Sequence, residues 1–129
     1  MNLPMTPDAK VIHMGDIEQL WTIVAGAFAH PDKTGAGQYL SLSGGLYSWA
    51  DVVETLRAQG HDVAFNQVPA EIFDGFFPAA REIREMFNYF EAHTYFGPNA
   101  NEKIALARAV ATEPPLALAT WTKQNMPAR

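Results

Sequence analysis

A chain of 129 residues, 48% hydrophobic and 18% charged, is one domain's worth of sequence and has enough apolar side chains to bury a core. Its formal net charge of −5 argues against nucleic acid or an anionic membrane surface as a partner, and the absence of cysteine excludes disulfides and thiolate chemistry. No apolar run approaches the ~18 residues of a membrane span, and the opening MNLPMTPDAK has no apolar signal core, so the expected location is cytoplasmic.

Residues 1–9 read as a loose leader to one domain over residues 10–129. Residues 10–14 (KVIHM) suit a short strand. Asp16 is a good N-cap for a helix in which Ile17, Leu20, Trp21, Val24 and Phe28 recur at helical spacing, and Pro31 stops it. Residues 32–37 form a polar, glycine-containing loop. Residues 38–43 (QYLSLS) alternate, with Leu40 and Leu42 on one face and Tyr39 and Ser41 on the other, as a strand does. Gly44-Gly45 turns the chain. Ser48, with Asp51 three residues on, caps a helix over residues 49–59 that Gly60 closes. Residues 62–68 are a second strand, with Val63 and Phe65 on one face. Strand, helix and strand at this spacing predict a small parallel βαβ unit of two to three strands.

After Pro69 the pattern is helical. A short helix is predicted over residues 70–76, a long one over 78–94, a third over 102–111 capped by Asn101, and a last one over 116–125 that buries Trp121. The fold class is therefore α/β, with a helical C-terminal half. The segment from Phe73 to Gly97 carries more than half of the aromatic residues. Ile83, Phe87, Phe90 and Thr94, with Met86 beside them, make one apolar stripe, which reads first as a core helix. The surplus aromatics, among them Phe77 and Tyr95, suggest the wall of a pocket as well.

The motifs of common chemistries are missing. Gly35-Ala36-Gly37 precedes a strand, whereas a dinucleotide fingerprint follows one and opens a helix, so it reads as a turn. There is no phosphate-binding G-x-x-x-x-G-K-[ST] and no G-x-S-x-G elbow. None of the four histidines, His13, His30, His61 and His93, pairs with another at a spacing of three or four, so no helix offers a two-histidine metal face. His30 and His61 adjoin turns and read as solvated. His93 ends the aromatic helix, where a cation suits the helix dipole. Glu82 and Glu85 interleave with Arg81 and Arg84 as an ion-paired surface. No catalytic set emerges.

Several segments together resemble the NmrA-like family, an atypical branch of the short-chain dehydrogenase/reductase superfamily. Met14-Gly15-Asp16-Ile17 resembles its strand-to-helix entry, and Ala29-His30-Pro31-Asp32-Lys33 the end of that helix. Gln38-Tyr39-Leu40-Ser41-Leu42-Ser43-Gly44 resembles the following strand, Ser48 through Leu56 the next helix, and Phe65 through Pro69 the segment after it. Glu85-Met86-Phe87-Asn88-Tyr89-Phe90 with Tyr95-Phe96-Gly97, then Trp121 through Asn125, complete the order.

The resemblance implies a partial NmrA-like fold: the C-terminal, substrate-binding part, without the N-terminal Rossmann half that binds NAD(P) in full-length relatives. No cofactor is then expected on this chain alone, and a catalysed oxidoreduction only when a Rossmann half completes it. The implied ligand is small and apolar or aromatic, held among His13, Met14, Phe77, Met86, Phe90, His93 and Tyr95. The implied protein partners are a second copy, as a homodimer, or a separate Rossmann domain. Two alternatives accompany this reading: a fragment of an NAD(P)H-dependent, quinone-reductase-like oxidoreductase or redox-sensing regulator, and a non-catalytic homo-oligomeric interaction module.

Overall fold

The structure, a computed structural model, describes residues 1–126. Its strands are short: β1 (Asn2–Leu3), β2 (Ile12–Met14), β3 (Gly45–Tyr47) and β4 (Asn66–Gln67). The helices are α1 (Leu20–Ala29), α2 (Pro31–Thr34), α3 (Trp49–Ala58), α4 (Ala70–Asp74), α5 (Ala80–His93), α6 (Ala100–Val110) and α7 (Leu118–Asn125). The fold is mixed α/β with one parallel strand pair, as the patterning implies, but the strands in that pair differ from expectation.

β4 pairs in parallel with β1, Asn2 opposite Asn66 and Leu3 opposite Gln67. The first nine residues are thus part of the fold rather than a loose leader. Met5 is only 1% exposed and joins Val11, Ile12, Phe73, Phe87 and Phe90 in the main core. The thioether of Met5 also receives the Trp49 indole N–H at 2.9 Å. Burying Met5, Phe87 and Phe90 contributes about 1.5–3 kcal/mol each.

Residues 38–43 form no strand ladder. Their alternation is real, since Ser41 and Ser43 are buried and Leu40 and Leu42 half-buried, but no neighbouring strand supplies partners. The Ser41 amide instead donates to the Lys103 carbonyl at 3.3 Å. β2 therefore pairs with β3, antiparallel, His13 opposite Leu46. Val63 and Phe65 are both half-buried, as their alternation predicts, although the ladder there covers only β4.

The helices follow their local signals closely. Asp16 accepts from the Glu18 amide at 3.0 Å, opening a 3₁₀ turn (Ile17–Gln19) that leads into α1. Ser48 and Asp51 form the reciprocal capping box at the start of α3, at 3.1 and 2.8 Å. The amide of Ser48 holds the Asp51 carboxyl below the usual carboxylate range. Arg84 grips Asp74 through two hydrogen bonds of 2.8 and 3.1 Å, tying α5 to α4 and lowering the Asp74 pKa. Two caps differ: α5 starts after Ala79, at φ 69°, rather than at Pro78, and Asn99 rather than Asn101 precedes α6.

The orientation of α1 is the largest departure. Thr22, Ile23 and Gly26 face inward, packed toward Ala107 and Val110 of α6, while Ile17 (74% exposed), Trp21 and Phe28 (83%) face out. Gly26 explains this. A Cβ there would lie 1.7 Å from the Val110 carbonyl oxygen, so the two backbones meet closely and no side chain fits at position 26.

Candidate functional site

A cleft of about 580 Å³ opens where five segments converge. The end of β2 supplies His13 and Met14, and the 3₁₀ turn and first residue of α1 supply Ile17 and Leu20. The extended segment supplies Leu40 and Leu42, and Tyr95 and Phe96 come from the chain just past α5. Leu116, Leu118 and Trp121 close the remaining side.

Each wall is fixed by identifiable contacts. The Tyr95 amide donates to the Val11 carbonyl at 2.9 Å, clamping the end of α5 against β2. The Gln19 side chain receives the Leu116 amide at 2.7 Å and donates to the Pro114 carbonyl at 3.1 Å, so the 3₁₀ turn holds residues 114–116. The Leu118 amide donates to the Tyr47 hydroxyl at 2.9 Å, setting the start of α7 against β3. Arg108 donates to the Ser43 carbonyl at 3.0 Å and anchors the extended segment to α6.

The lining is largely apolar. Among the described residues, Asp16 is the one carboxylate in it, and no lysine or arginine lines it. His13 is the titratable base. It is 8% exposed, its ring stacks on Phe96 with centroids 5.0 Å apart and an interplanar angle of 27°, and its Nδ1 lies 3.4 Å from Ser43 Oγ. Its Nε2 is buried without a hydrogen-bond partner. Burial pushes its pKa below the ordinary histidine value, so the ring is neutral at pH 7. Thr94, next to the aromatic pair, has φ 64° and ψ 169°, a region that β-branched residues rarely enter, and its hydroxyl is also buried and unpaired.

Of the residues singled out in the sequence, His13, Met14 and Tyr95 line this cleft together. The others do not. Phe90 is buried in the core, its ring 5.1 Å from that of Tyr95. Phe77 and Met86 are exposed, and His93 lies on the surface against Tyr89, ring centroids 4.9 Å apart. His61, read as solvated, is half-buried with Nε2 2.9 Å from the Met126 carbonyl. The lining from Leu40, Leu42, Leu116, Leu118 and Trp121 was not singled out as a site. The alternation of 38–43 pointed to a buried face there, and Trp121 is half-buried as the pocket's wall rather than sunk in the core.

A second apolar groove of about 500 Å³ adjoins the cleft along α1, sharing Leu20 and Leu40 with it and running past Val24 and Phe28. Among the described residues, no group of histidine, aspartate and glutamate side chains is placed to hold a metal ion, and no helix is long and apolar enough to cross a membrane.

The family model that matches the chain is that of the NmrA-like family, over residues 1–122. No curated protein and no solved structure matches it.

Proposed function

The chain belongs to the NmrA-like family, whose members bind NAD(P), and from that premise we propose that it is a substrate-binding unit whose cleft takes one small, planar, apolar or aromatic ligand. The observation that carries this reading is the cleft itself: about 580 Å³, walled by His13, Phe96, Leu42 and Trp121, with polar groups few and fixed in place. That volume lies in the range of small-ligand pockets, and a mostly apolar lining with one oriented polar group is their usual composition.

NAD(P) itself does not fit this cleft. A pyrophosphate needs cationic side chains or an open helix N-terminus. Here Asp16 is the charged group, and its carboxylate already occupies the amide at the start of the 3₁₀ turn. The glycine fingerprint is likewise absent from these 129 residues. The role assigned to these residues is to bind and orient an apolar molecule.

The test is a titration of the ¹⁵N-labelled protein with 2-methoxynaphthalene, followed by amide shifts. Saturable, one-to-one shifts at residues 13–17, 40–42, 95–96 and 116–121, lost when Leu118→Trp fills the cleft, support the reading. Shifts elsewhere, or none at the probe's solubility limit, overturn it.

A second reading is favoured by the outer face of α1. Ile17, Trp21 and Phe28 form an exposed apolar stripe beside the unladdered residues 38–43. An apolar helix face next to an extended segment suits a dinucleotide-binding α/β unit, which presents both a helix layer and a sheet edge. Such a unit would also supply the pyrophosphate site that this cleft does not offer. Light scattering of the chain mixed with an isolated NAD(P)-binding half of an NmrA-like protein tests it. A one-to-one complex, abolished by Trp21→Lys, supports docking; two unassociated species, or a complex indifferent to Trp21→Lys, contradict it.

A further inference from the structure

The hydrogen-bond arrangement around His13 says more about the ligand than the shape of the cleft does. Ser43 Oγ donates to the Gly45 carbonyl at 3.1 Å. A hydroxyl has one proton to give. With that proton committed to Gly45, the Ser43 oxygen meets His13 Nδ1, 3.4 Å away, as an acceptor. Nδ1 therefore carries the ring proton, and a neutral imidazole protonated at Nδ1 has a bare lone pair at Nε2. That nitrogen is the atom left buried without a partner. Stacking on Phe96 fixes the plane of the ring, so the lone pair cannot turn away to find another donor.

We propose that His13 Nε2 is the specificity-determining acceptor of the cleft, selecting apolar ligands that present an O–H or N–H donor over isosteres that lack one. The inference rests on the cleft-binding reading above and deepens it. A hydroxyl on an aromatic ring satisfies the lone pair. A carbonyl oxygen at the same place sets lone pair against lone pair, so a ring in its hydroxyl-bearing, reduced form is ranked above its carbonyl-bearing, oxidised form. A buried polar group built to pair with a ligand discriminates strongly against the analogue that cannot pair with it.

Nε2 is screened from solvent, so the donor has to part the wall to reach it. The ring that covers it, Phe96, lies two residues past Thr94, whose φ of 64° is strained.

The experiment compares 2-naphthol with 2-methoxynaphthalene, in which a methyl group replaces the donor proton, by the same amide titration. The wild-type protein is expected to prefer 2-naphthol by about tenfold, as one buried hydrogen bond supports. His13→Phe keeps the stack on Phe96 and removes the lone pair, and the ratio is expected to fall to about one. The ring nitrogens give the same answer without a variant: unliganded His13 should show an unprotonated Nε2 resonance, which moves toward the hydrogen-bonded position on adding 2-naphthol alone. Equal affinities for two probes that both bind the cleft, or a protonated Nε2 in the unliganded protein, overturn the inference and leave the cleft reading standing. If neither probe binds, both fall.

Discussion

Replacing Gly26 with alanine tests the seam between α1 and α6, on which the position of Leu20 and the 3₁₀ turn at the cleft depends. In an open helix the change would stabilise, because glycine costs about 1 kcal/mol relative to alanine in a helix interior. Here the new Cβ would stand 1.7 Å from the Val110 carbonyl oxygen, against a floor of 3.0 Å for such contacts, a shortfall of 1.3 Å. The obstacle is backbone, which cannot rotate aside as a side chain does. Overpacking of this kind costs about 1–3 kcal/mol and sometimes more. The clash outweighs the propensity gain, and we expect a net loss of about 1–2 kcal/mol, or roughly 3–8 °C in the melting temperature of a chain this size. Thermal unfolding followed by circular dichroism reads it directly. A melting temperature equal to or above that of the wild type would mean that α1 does not sit on α6 at this distance.

Further outcomes follow from the same geometry. Phe87→Ala, in the core, should cost about 3–5 kcal/mol in denaturant unfolding, and exposed Met86→Ala, one position away, under about 1 kcal/mol; similar costs would contradict the placement of α5. Thr94→Gly should raise the unfolding midpoint, because relief of about 1–3 kcal/mol of backbone strain and loss of an unpaired buried hydroxyl exceed the entropic cost of glycine. His13 has a folded pKa depressed below its ordinary 6.5, so the unfolded chain binds more protons below that pH. Its contribution is fully present above about pH 6.5 and is lost as pH falls toward the folded value. A stability-versus-pH profile should show that slope for the wild type and a shallower one for His13→Phe; identical slopes would place the shift elsewhere. Phe28→Ser should leave the unfolding midpoint within about 0.5 kcal/mol, because the side chain touches little, and a larger loss would mean that α1 is turned the other way.

Features written within a few residues were legible in the sequence. The Asp16 cap and the Ser48–Asp51 capping box are local hydrogen-bonding patterns, and both form where their spacing puts them. Long-range pairings were not. Asn66-Gln67 lies within the strand predicted over residues 62–68, but its partner is the chain's own N-terminus, some sixty residues away, and the two residues Asn2-Leu3 are too few to carry an alternation that would announce a strand. Helical periodicity located α1 but not its buried side. The stripe of large residues looked like the core, whereas the small residues Thr22 and Gly26 make the tight seam. Of the aromatic segment 73–97, Tyr95-Phe96, past the end of α5, line the cleft, whereas Phe77, before α5, and Tyr89, on it, are exposed elsewhere. His13 was legible as a residue near the cleft, but its tautomer depends on Ser43, thirty residues away, and on the proton that Ser43 gives to Gly45.

The central claim is that the cleft between β2, residues 40–42, Tyr95-Phe96 and the start of α7 is a ligand site. The amide-shift titration with 2-methoxynaphthalene tests it most directly. The account predicts saturable shifts confined to these segments and their loss in Leu118→Trp. Shifts confined to the α1 groove around Val24 and Phe28, or a Leu118→Trp protein that binds as the wild type does, would contradict it.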